Sequence, residues 1–124
     1  MTRLIYHDPE PLDRATAERL LASVDPDVVT ETLISIALHE ADWRWVAARC
    51  AEAATHPSPQ VRAVVPTCFG HLARIHRVID WAIVELALAR LSADPELADR
   101  IEDARDDFEV FLGQRGRVDR DRAG

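Results

Sequence analysis

The sequence predicts an all-α domain, built as about three antiparallel helix pairs stacked into a right-handed solenoid. Two observations carry this. Apolar residues recur at i, i+3, i+4 and i+7 over most of the chain, and no stretch alternates with the period of two that a strand needs. Similar helix starts also recur at Asp25-Pro26, Ser58-Pro59 and Asp94-Pro95, so these prolines lie 33 and 36 residues apart. That is the period of two-helix repeats. Each start places a side chain suited to accept a backbone N–H before a proline, whose missing N–H costs nothing in a first helical turn.

Residues 1–11, with Pro9 and Pro11, read as an extended arm. A first helix is expected over 12–24, with Ala17, Leu20, Leu21 and Val24 on its inner side. A second is expected from Pro26 to about His39, burying Val29, Leu33, Ile36 and Ala37. Asp42 caps a third, in which Trp43, Val46, Ala47, Cys50 and Ala54 share a face. The turn His56-Pro57-Ser58-Pro59 opens a fourth, with Ser58 as N-cap and Val61, Val64, Val65, Cys68, Phe69 and Leu72 inward. Pro66 lies inside that helix, so a kink is expected across 62–66. Gly70 adds local weakness of about 1 kcal/mol relative to alanine. Asp80 caps a fifth helix so widely apolar (Trp81, Ile83, Val84, Leu86, Ala87, Leu88, Leu91) that it is expected at the centre. The last helix follows Asp94-Pro95 and buries Leu97, Ile101, Ala104, Phe108 and Phe111 or Leu112. Gly113 is its expected stop, which makes 12–112 the folded domain and 113–124 a disordered tail.

Composition narrows the function. The chain has 124 residues, 30% charged and 48% hydrophobic, with a net charge of −7. An acidic chain is poorly suited to nucleic acid, whose phosphates reward clustered positive charge. It suits a basic protein partner better. The charge is uneven, with −3 over residues 1–93, −6 over 94–112 and +2 over 113–124. All fifteen basic residues are arginine, and lysine and asparagine are absent, the mark of a G+C-rich bacterial genome. Two cysteines in a chain this short do not make a secreted disulfide scaffold. No apolar run approaches a membrane span, and the first residues lack a signal-peptide stretch, so the expected location is cytoplasmic.

The stretch from about Asp42 to Arg74 resembles a HEAT-type repeat. The match rests on Pro59-Gln60-Val61-Arg62-Ala63 at the start of the second helix, then Cys68-Phe69-Gly70-His71-Leu72. The flanking units match through their Asp-Pro starts and apolar spacing, with Val28-Val29 and Leu97-Ala98 in place of Val-Arg. The whole chain also resembles small bacterial HEAT-like proteins, some of which are immunity proteins beside polymorphic or contact-dependent toxins. The first resemblance implies a solenoid that binds proteins. The second implies a cytoplasmic inhibitor that binds one toxin domain and blocks it. A general adaptor is the alternative, and a small metal- or cysteine-dependent enzyme a more remote one.

Candidate chemistry is thin. Cys68-x-x-His71, with His76 beyond, is the nearest approach to a metal-ligand or nucleophile–base spacing. Cys68 lies on the apolar stripe, however, and His71 does not share its direction, so both cysteines read as core fillers. The four glycines are scattered and make no phosphate loop. No catalytic residue, cofactor or metal is expected. The candidate binding residues are two sets. Arg44 and Trp45 follow Trp43, and tryptophan and arginine are enriched at binding hot spots. Asp99, Glu102, Asp103, Asp106 and Asp107 are expected to face away from the buried stripe of the last helix.

Overall fold

The computed structural model describes residues 10–123, with side chains described through residue 113. Most of the arm expected at 1–11 therefore lies outside the described residues. The elements are α1 (Arg14–Leu21), α2 (Pro26–His39), α3 (Trp43–Ala53), α4 (Pro59–His76), α5 (Trp81–Leu91), a 3-10 turn at Pro95–Leu97 and α6 (Ala98–Ala123). No strand occurs among the described residues. No helix among them is long and apolar enough to cross a membrane.

Aspartates set most of the helix starts. The N–H groups of Thr16, Asp27, Trp45 and Ile83 donate to Asp13, Asp25, Asp42 and Asp80 at 2.8, 2.9, 3.2 and 3.3 Å. Asp94 does the same for Glu96 at 2.9 Å in the 3-10 turn. Each cap satisfies a donor that the helix itself leaves open. Ser58 departs from this pattern. Its side chain makes no capping bond, and its own N–H donates to His56 Nδ1 at 3.0 Å. Pro59 still occupies the first turn, and α4 runs through Pro66 as one helix.

The first helix is shorter than its apolar spacing predicts. It starts after Asp13, ends at Leu21 and buries only Ala17. Val24, expected on the inner face, is 99% exposed, because the chain turns at Ser23 to reach the Asp25-Pro26 start.

The helix in the middle is α4, not α5. Helices α2, α3 and α6 all pack on α4, while α5 packs chiefly on α3. Val61, Val65, Cys68, Phe69 and Ala73 of α4 are fully buried, and Phe69 is the largest such side chain among the described residues. On α5 only Val84, Ala87, Leu88 and Leu91 are buried, and Leu86 is 58% exposed. A broad apolar surface does not by itself make a helix central. Two polar groups also sit in the core of α2, each with a partner. Thr32 Oγ1 donates to the Val28 carbonyl at 2.7 Å, and Ser35 Oγ to the Glu10 carbonyl at 2.6 Å.

Gly70 has a role that its local weakness hides. A β-carbon there would stand 2.5 Å from Asp107 Oδ2, so glycine lets α6 approach α4 closely. Gly70→Ala should change stability little. The Asp107 carboxylate can swing aside, and alanine gains about 1 kcal/mol in helix propensity. Gly70→Leu should cost about 1–3 kcal/mol by overpacking the seam. Urea midpoints of the two variants check this.

Gly113 interrupts the last helix at the position where its stop is expected. Its φ of 59° and ψ of −144° suit only glycine, and helical backbone continues beyond it to Ala123. The disorder expected over 113–124 falls, from residue 114 on, on side chains that lie outside those described.

Candidate functional site

Four of the five acidic candidates share one surface. Asp99, Glu102, Asp103 and Asp106 are all exposed on α6. Residues 99, 103 and 106 follow i, i+4, i+7, so their carboxylates line one stripe. Val110, 68% exposed, continues that stripe by the same spacing. The buried side of the helix is held by Leu97, Ala104 and Phe108. Phe108 meets the Trp81 ring edge-on at 5.7 Å, which ties α6 to the start of α5. Arg105 leaves the acidic face to pair with Glu85 of α5 through two 3.0 Å bonds. An exposed pair of this kind adds at most about 1 kcal/mol, but it removes a positive charge from the surface that a partner would meet.

Asp107 does not face away as expected. It is half-buried, with its carboxylate against Gly70 and its charge felt by His71. Burial pushes the His71 imidazole below its ordinary value, the Arg74 charge adds to this, and Asp107 partly opposes it. Arg74 also lies 3.1 Å from His71 Nδ1. Asp107 therefore belongs to the α4–α6 seam. Sequence spacing missed this because the signal was an absent side chain on the facing helix.

The second candidate pair sits on α3, separate from the acidic stripe. Trp45 is half-buried and packs on the core. The guanidinium groups of Arg14 and Arg49 lie 4.3 and 5.8 Å from its ring centroid. Arg14 is in turn held by Asp42 at 3.1 Å and Glu40 at 3.4 Å. The Trp45 N–H and then Arg14 hold the Asp42 carboxyl below the usual carboxylate range. Trp45 thus covers the flank between α1 and α3. Arg44 is exposed, 4.6 Å above the ring of half-buried Trp43.

The cysteines face each other from α3 and α4, both fully buried. A hydrogen bond with Cys50 and then burial push the Cys68 thiol well above its ordinary value. A thiol in that state is a poor nucleophile. Both cysteines should react slowly with a thiol reagent in the native protein and quickly after denaturation. Cys68→Ala should cost about 1 kcal/mol and leave binding unchanged. Fast native labelling of Cys68 would contradict this. Among the described residues, no group of three or more His, Cys, Asp or Glu is placed to hold a metal ion.

One feature went unseen in the sequence. A groove of about 490 Å³ opens among α1, α2 and α3, floored by Leu21, Val29 and Leu33 and edged by Glu18, Arg49 and Glu52. No local pattern signals it, because it depends on where α1 stops.

No family model matches the chain, and neither does any curated protein. Among solved structures, a chain in the crystal structure of a CDI complex from Cupriavidus taiwanensis LMG 19424 is similar, with a TM-score of 0.75 and 34% sequence identity. The similarity covers 87% of this chain and 97% of that one.

Proposed function

Because this chain belongs to the same family as its match in the Cupriavidus taiwanensis CDI complex, we propose that it is a CDI immunity protein, which binds a toxin domain and neutralises it. The observation that carries the reading is the extent of that match, nearly the whole of a chain that is found in such a complex. The reading agrees with the immunity resemblance in the sequence. It also gives the acidic stripe of α6 a purpose. Toxin domains that act on nucleic acids are commonly basic, and carboxylates spaced along a helix imitate the phosphates such a domain binds. Asp99, Glu102, Asp103 and Asp106 steer and hold the basic surface, and no covalent chemistry is required. The packing of α2 and α6 on α4, and of α3 on α5, supports reading the chain as a short HEAT-like solenoid whose terminal helix meets a partner.

Co-expression tests the proposal. A CDI toxin domain encoded beside this chain should arrest growth when produced alone. Growth should recover when this chain is produced with it. Continued arrest, with the chain soluble and abundant, would overturn the reading.

A further inference from the structure

We propose that the groove among α1, α2 and α3 receives an arginine or lysine side chain of the toxin domain, at an anchoring site separate from the acidic stripe of α6. This rests on the immunity reading. The groove exists because α1 is only eight residues long and inserts only Ala17 into the core. Its C-terminal end leaves Leu21 beside Val29 and Leu33 of α2, and the last two are 3% and 1% exposed. The floor is therefore part of the core and rigid. At about 490 Å³ the space lies within the range of built ligand sites and exceeds what one side chain needs.

The lining selects the occupant by charge. Glu18 is exposed and forms no ion pair among the described residues. Glu52 holds Arg49 through one oxygen at 2.7 Å, and Arg49 lies near the Trp45 ring, so this pair is already neutralised. Glu18 is left as the uncompensated charge over an apolar floor. An acidic side chain would meet the carboxylates of both Glu18 and Glu52 at the groove edge. A purely apolar one would leave Glu18 unused. A long basic side chain satisfies both parts, with its hydrocarbon stem along Leu21 and Ala22 and its cation at Glu18.

The two surfaces then differ in kinetics. Exposed charges such as those on α6 act mainly on association, and a filled groove acts on dissociation. The test is the rate pair for the full chain binding the CDI toxin domain that it neutralises in co-expression, with Glu18→Gln, Glu18→Arg and Ala22→Trp. Ala22 is exposed at the end of α1 and lines the groove, so a tryptophan there fills it without replacing a core side chain. Glu18→Arg and Ala22→Trp should each raise the dissociation rate at least tenfold, and Glu18→Gln by a smaller factor. Association should change no more than a few-fold, and melting temperatures should stay put. Unchanged dissociation in all three variants would overturn the proposal. A faster rate only for Ala22→Trp would also overturn it, in favour of an apolar occupant. Absence of any complex with the unaltered chain would instead remove the immunity reading on which the proposal rests.

Discussion

Val61→Asp should severely destabilise the native fold. Val61 is fully buried at the start of α4, the helix on which α2, α3 and α6 all pack. The substitution puts a carboxylate where no partner is available. An uncompensated buried charge costs on the order of 3–5 kcal/mol, against a total stability of about 5–15 kcal/mol for a domain of this kind. Urea unfolding followed by circular dichroism should show a sharply lowered midpoint. Val24→Asp is the control, since Val24 is 99% exposed although the same apolar spacing places it inward. It should change stability by no more than about 0.5 kcal/mol. Equal effects of the two substitutions would contradict the packing described for α1 and α4.

Replacing Asp99, Asp103 and Asp106 together by asparagine should slow capture of the toxin domain by about tenfold or more at low salt. These side chains are exposed and bury nothing, so the fold should persist. A loss of up to about 1 kcal/mol is expected from Asp99, which sits in the first turn of α6 and complements its N-terminal dipole. The association rate should also lose most of its salt dependence, since the charges that salt screens over ~8–10 Å are gone. Stopped-flow binding at two ionic strengths reads both effects. Unchanged rates at low salt would make the stripe a solubilising surface and turn attention to Arg44 and the groove.

Helix existence was largely legible because its causes are local. Asp25, Asp42 and Asp80 cap as their spacing implies, and α2 runs over the expected residues. What escaped the sequence depends on neighbours. Apolar periodicity carries the first helix to Val24, but the Ser23–Asp25 turn and the proline start of α2 end it at Leu21. Periodicity also marks α5 as the most apolar helix, whereas centrality depends on what surrounds a helix, and α4 is the one flanked on three sides. Asp107 lies at the edge of the acidic face, and only its closeness to Gly70 decides that it turns inward. The exposed acidic stripe could be read from charge and spacing. The groove could not, because three helices that are separate in sequence build it.

The most direct test is a titration, with this chain, of the purified CDI toxin domain encoded beside it, following that domain's own activity. The account predicts a linear fall that reaches baseline near one equivalent, with a complex of both chains recovered at that ratio. Full toxin activity at excess chain, with the chain folded by circular dichroism, would contradict it.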